Sequence, residues 1–357
     1  MSSLRLILAF AAAIPLCGVA QADAIHIGVA APLTGASAPL GRQLEAGAQA
    51  AAKARGDHQV AVETADDACT AEGGAAAARR FAEAKVQLVV GFLCTEAIEA
   101  ALPILAGAAI PVITPGVRTD SLTDQRGKTG WPIYRLAPRA DGERSAVGAI
   151  LTRLWRDQLF AIVDDGTIYG RELAEDFRVA AQQAGRKPVF LDTYRPQLDN
   201  QIGLIGRLRK AGATHLFVGG DRDDIAVIAR DAQQLGMPLV IAGGEALRSA
   251  PGDVPLKAGT LMIGLPEWAE IADPAGVESL ENAGVQVEGY VLPAFAAMEI
   301  AVAAASSGAA PAEALDNQQF QTAIGKVAFD VKGDLTESPY RLFRFDGAKF
   351  VAVTDGE

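Results

Sequence analysis

Cys69, in "ETADDACTAEGG", and Cys94, in "VVGFLCTEAIEA", each follow a hydrophobic run, and with Cys17 they make up the three cysteines of the chain. Thiols so placed can hold a metal, serve as a nucleophile or redox couple, or form a disulfide that staples two loops. The histidines, His26, His58 and His215, fall on separate segments without ligand-like spacing to one another or to the cysteines. Adjacent carboxylates at Asp66-Asp67, Asp164-Asp165 and Asp223-Asp224 could work as general acid and base. Each pair stands where a strand ends or a helix begins, which favours polar caps instead. The nucleophile-elbow G-x-S-x-G, the zinc motif H-E-x-x-H and the phosphate loop G-x-x-x-x-G-K-[ST] are absent. Gly28, Gly35 and Gly41, after the first apolar run, do not form G-x-G-x-x-G. No catalysis, metal or cofactor is expected.

The compartment decides among the cysteine chemistries. "MSSLRLILAFAAAIPLCGVAQADAIHIGVA" carries Arg5, an apolar run over 6–16, and "AQA" ending at Ala22. That is a secretory signal peptide cleaved after Ala22, and it predicts a periplasmic, exported protein. Leu16, just before Cys17, is not the small residue a lipoprotein signal requires. No later segment offers about 20 consecutive apolar residues. Cys17 leaves with the signal, and two cysteines in an oxidising compartment are expected to pair as Cys69–Cys94. Closing a loop of roughly 25 residues contributes about 3 kcal/mol by chain entropy.

These residues must be positioned by some 335 mature residues, which predicts two domains. The net charge of -11, without a block of one sign, argues against nucleic-acid and anionic-membrane partners. Short apolar runs alternate with Ala-rich helical stretches: "IHIGVAAPL" then 41–54, "VAVETADD" then 72–84, "VQLVVGFL" then 95–107, then "IPVITPG". This βαβα order predicts a parallel sheet covered by helices on both faces. A second series begins near "PIYRLAP" and runs through "LFAIVDD", helix 170–184, "PVFLDTY", helix 200–211, "HLFVGG", helix 223–236 and "PLVIAGG". Between the series, "RTDSLTDQRGKTGWP" reads as a loop leading to a first crossover, and "GLPEW" as a second. Residues 286–306 read as a long helix, and "YRLFRFDGAKFVAV" as a hairpin about Asp346-Gly347. Open sheets of this kind bind ligands at the carboxyl ends of their strands.

"DDAC", "GFLCTEA", "VITPG", "IVDDGTIYG", "VGGD" and "AGGEAL", in that order and spacing, resemble the periplasmic leucine/isoleucine/valine-binding proteins of ABC transporters across the mature chain. The resemblance implies an α/β protein of two Rossmann-like lobes with parallel sheets, joined by three hinge crossovers, the type I periplasmic binding protein fold. It implies lobe 1 over 23–137 plus 267–339 and lobe 2 over 138–266 plus 340–357. A monomer is implied that closes on an amino acid and delivers it to a membrane permease. Carried over by position, Thr95 holds the ligand carboxylate, with Cys94 bracing its turn. Gly116 offers a carbonyl to the ammonium, Glu245 pairs with that charge, Tyr169 contacts the ligand backbone and Tyr290 covers its side chain. A sensory module of the same fold and an exported hydrolase are the alternatives.

Four positions depart from the pattern. Arg118 replaces a small hydroxyl residue, Leu40 and Asp221 replace aromatics, and Glu96 adds a charge. An unpaired charge beside an aliphatic side chain is costly to desolvate. Arg118 is therefore expected to grip an anionic or polar part of the ligand, directly or through pairing with Glu96 or Asp221.

Overall fold

The computed structural model describes residues 24–54 and 60–353, apart from the side chain of Ala269. The signal segment, Cys17, His58 and the last four residues lie outside them. Strands β1 (Ile25–Ala31), β2 (Val60–Asp66), β3 (Leu88–Gly91), β4 (Val112–Thr114) and β5 (Ile133–Arg135) form a parallel sheet in the order β2-β1-β3-β4-β5. Its central strands are almost continuously buried, as a sheet covered on both faces requires. Helices Ala71–Glu83 and Thr95–Gly107 contribute to the cluster on one face, and Ala38–Ala54 and Val291–Ala305 to that on the other. Val291–Ala305 is apolar except at Glu299 because it is buried on nearly every face. It crosses Ala38–Ala54 so closely that a Cβ at Gly47 would stand 2.1 Å from the Val291 carbonyl oxygen.

β6 (Phe160–Asp164), β7 (Phe190–Thr193), β8 (His215–Gly219), β9 (Val240–Gly243) and β10 (Leu261–Gly264) build the parallel part of a second sheet. β11 (Phe320–Thr322) and β12 (Gly325–Val327) form a separate hairpin beside the first lobe's core. β13 (Arg341–Phe345) and β14 (Phe350–Ala352) return to the second sheet as an antiparallel edge, in the order β14-β13-β10-β9-β8-β6-β7. The chain thus passes between the sheets three times, over 136–141, 265–267 and 328–340.

Three expectations change. "PIYR" does not open the second series: Val112 pairs with Ile133, making β5 the last strand of the first sheet. The loop expected after β4 contains short helices Ser121–Asp124 and Arg126–Thr129. The helix expected from 286 begins at Val291, because Gly289 takes a left-handed φ of 46° and turns the chain.

Cys69 and Cys94 are joined, with Cα atoms 5.2 Å apart. The turns they connect are unusual: Ala68, Cys69 and Phe92 have φ of 48°, 54° and 64°. Left-handed backbone is uncommon for such residues, and here Asp66 and Asp67 accept the Ala68 and Cys69 N–H groups at 2.8 and 2.9 Å. Replacing both cysteines by serine is expected to cost about 3 kcal/mol, read as a lowered urea midpoint that reducing agent reproduces in the unmodified protein.

Candidate functional site

The carboxyl ends of β3 and β4 supply one wall. Thr95 opens helix Thr95–Gly107 with Cys94 as N-cap and no side-chain cap, so the first N–H groups of that helix have no intrahelical acceptor. Its hydroxyl lies 2.7 Å from that of Thr119. Thr114 Oγ1 accepts the Val117 N–H at 3.1 Å, folding the chain after β4 so that Gly116 and Arg118 follow in one turn. Arg118 Nε donates to the Pro138 carbonyl at 3.2 Å, and Nη2 to the Tyr340 hydroxyl at 2.6 Å. Pro138 and Tyr340 sit on the first and third passages, so Arg118 spans two of the connections between the sheets.

The second sheet supplies the facing wall. Glu245 opens a short 3₁₀ turn after β9, and its Oε1 accepts the Leu265 N–H at 3.2 Å. Its own N–H donates to Glu143 Oε1 at 2.7 Å, and the Tyr169 hydroxyl donates to the same oxygen at 2.7 Å. Glu143 lies in helix Gly142–Leu154, directly after the first passage. Burial raises its pKa, against the two donated bonds that lower it. Burial also raises the Tyr169 hydroxyl, reinforced by the Glu143 charge, so that phenol remains a donor.

Gly116, Arg118, Glu245 and Tyr290 line one cavity of about 740 Å³, which also takes in Trp268 and Arg248. Tyr169 is tied to this group through Glu143. Thr95 lies outside the lining, coupled to Thr119 beside Arg118. Leu40 and Glu96 are exposed and outside it. Asp221 is also outside: its Oδ1 caps helix Arg222–Gln234, accepting the Asp224 N–H at 2.9 Å. The expected pairing of Arg118 with Glu96 or Asp221 is therefore replaced by Pro138 and Tyr340, which the passages bring within reach. Glu143, Trp268 and Tyr340 were not singled out by sequence reasoning. No motif marks them: Trp268 joins the cavity wall just after the second passage, whereas Glu143 and Tyr340 are off the lining and act on it by holding Glu245 and Arg118.

The acidic pairs organise loops. Asp164 and Asp165 accept the N–H groups of Gly166 and Thr167, both at 2.9 Å, and Asp224 accepts that of Gln197 at 2.8 Å. No group of three or more metal-ligating side chains is gathered among the described residues. Asp67 is fully buried with Oδ2 unpartnered, and burial, then the Asp66 charge, push its pKa from 3.8 up to about 6. Between those values the unfolded chain releases this proton while the folded chain keeps it. Its contribution to stability therefore falls as pH rises through that window, by up to about 3 kcal/mol, and is flat above it. Urea midpoints between pH 4 and 7 are expected to show a shallower decline in Asp67→Asn.

The family described as "Periplasmic binding protein" matches residues 24–349. The Leu/Ile/Val-binding protein homolog 3 of Brucella melitensis biotype 1 is 30% identical over 366 residues, covering 97% of this chain and 97% of that protein. An ABC transporter substrate-binding protein from Desulfitobacterium hafniense, solved in complex with Leu, shares the fold at a TM-score of 0.61 and 20% identity, over 93% of this chain and 100% of that one. So does the solute-binding protein of an ABC transporter from Rhodopseudomonas palustris BisB5, solved with 3,4-dihydroxy benzoic acid, at a TM-score of 0.57 and 17% identity, over 94% and 99%.

Proposed function

Since the chain belongs to the periplasmic binding protein family, we propose that it is an exported substrate-binding protein of an ABC transporter. It takes an amino acid or a related small carboxylate between its lobes and presents the closed complex to a membrane permease. The observation that carries this reading is one cavity charged from both sides, by Arg118 on the first lobe and Glu245 on the second.

A zwitterion matches that arrangement. The guanidinium of Arg118 keeps N–H groups beyond those given to Pro138 and Tyr340, and a planar fork of this kind suits a carboxylate. Glu245 and the Gly116 carbonyl take the ammonium, with Glu143 holding the Glu245 backbone. Hinge closure then expels water and strengthens each charge-assisted bond. Thr95, at the open helix end, adds positive potential to the carboxylate side, and Tyr290 covers the ligand's body. Leu40, Glu96 and Asp221 are left out of this site.

We divide the lobes at 23–137 with 267–339 and 138–266 with 340–357. The protein works as a monomer, after signal cleavage, without turning its ligand over. A thermal-shift screen of the oxidised mature protein against amino acids and small aliphatic and aromatic carboxylates tests the reading, since a ligand that binds only the folded state raises the melting temperature. At least one of these is expected to do so, and Arg118→Ala to reduce the shift. No shift with any of them, or chemical conversion of a bound compound, would sink the proposal.

A further inference from the structure

We infer that the cavity is built for a carboxylate with a bulky aromatic body, larger than the side chains of leucine, isoleucine or valine, seated against Trp268 and Tyr290. The inference rests on the amino-acid or carboxylate reading above and narrows it.

The cavity measures about 740 Å³, whereas an apolar cavity of about 150 Å³ already accepts a benzene ring. Room for an aromatic body beside a head group at Arg118 is therefore present before the lobes close.

Leu265 and Pro266 come from the second passage, Trp268 and Ile271 from the helix that follows, and Leu335 from the third passage. The Trp268 ring is fixed by Nε1 donating to the Gly289 carbonyl at 3.1 Å. Its position is set before any ligand arrives. Aromatic rings prefer edge-to-face or offset contact with other rings, which Trp268 and Tyr290 offer. A charged body would lie against Leu265, Ile271 and Leu335 with its polar groups unpaired.

Arg248 is committed, with Nη1 at 2.9 Å from Glu267 Oε1 and Nη2 donating to the Leu265 carbonyl. Lys326, Glu337 and Arg341, also on the wall, are exposed side chains. Among the described residues no ion pair joins Arg118 to a carboxylate, and its bonds go to the neutral oxygens of Pro138 and Tyr340. Arg118 and Glu245 beside an apolar wall suit a ligand whose charged head is carried on an apolar body.

Isothermal titration of the oxidised mature protein with phenylalanine, phenylacetate and leucine tests this. At least one aromatic probe is expected to bind tenfold or more tighter than leucine, and Trp268→Ala to lower that preference at least tenfold. Trp268→Phe should lose less of it, and should also lose the change in tryptophan emission on binding, although Trp131 and Trp155 remain. Phenylalanine alone binding, or phenylacetate alone, supports the inference and tells whether the ammonium is required. Leucine binding tighter than both aromatics overturns it while the family-level reading stands. So does an unmoved preference in a Trp268→Ala protein with native circular dichroism and melting. Absence of binding to these three and to every compound of the wider screen overturns both.

Discussion

Glu245→Gln is expected to weaken binding of an α-amino acid by about 2–5 kcal/mol, the range for truncating one partner of a buried hydrogen-bonded charge pair, which is roughly thirtyfold or more. The substitution keeps the shape of the side chain and an oxygen for the Leu265 N–H, which now lies 3.2 Å from Glu245 Oε1. It also leaves the Glu245 N–H on Glu143. Only the charge is removed, so folding should be unaffected and the loss should lie in binding. Carboxylates without an ammonium should lose little, because nothing on them pairs with Glu245. Calorimetric titration of both ligand types against both proteins checks this. Equal losses for the two would mean that Glu245 acts through the wall it supports and not on the ligand's charge.

Asp334→Ala should destabilise the protein by about 3–5 kcal/mol, the cost of leaving an uncompensated buried charge. Arg135 is fully buried at the end of β5, and its Nε lies 2.8 Å from Asp334 Oδ1. Asp334 Oδ2 takes Arg139 Nη1 at 2.8 Å and the Thr123 hydroxyl at 2.9 Å. With Asp334 gone, Arg135 keeps the Thr119 carbonyl and the Thr123 hydroxyl but no counter-charge. Arg139 would suffer less, since Asp120, Asp124 and Asp141 also neighbour it. Urea unfolding measures the loss. Replacing Arg135 and Asp334 together by Met and Leu should recover much of it, because the penalty belongs to the orphaned charge. The cluster also ties Arg139 on the first passage to Asp334 on the third, and the Arg135 N–H donates to the Gly333 carbonyl at 2.7 Å. Two of the connections between the sheets thus share one buried carboxylate.

Local pattern carried much of the architecture. Helix Thr95–Gly107 occupies the stretch read from "TEAIEAALPILAG", and the hairpin about Asp346-Gly347 forms where the Asp-Gly pair placed it. Strands buried on both faces and helices with one apolar stripe differ in periodicity, which neighbouring residues alone record. The reading failed where a distant segment chose the outcome. "PIYR" has strand character in either lobe, and only the pairing of Ile113 with Tyr134 assigns it to the first sheet.

Site residues divide along the same line. Arg118 stood out as a charge where a small hydroxyl was expected, and Glu245 stood at a strand's carboxyl end, so both were readable from position in the chain. Glu143 was not, although it binds the Tyr169 hydroxyl and the Glu245 N–H at once, because those partners lie 26 and 102 residues away. Arg118 and Tyr340 are separated by 222 residues, and nothing near either one announces the other. What the sequence by itself determined was the order of most elements and the pairing of Cys69 with Cys94, since these follow from short-range periodicity and from how few cysteines there are. Which charges meet, that Asp221 caps a helix instead of facing Arg118, and that Trp268 shares one cavity wall with Arg118 and Glu245 were decided only by the tertiary structure. Three passages of the chain between two sheets set those distances, and no local preference encodes where a passage will run.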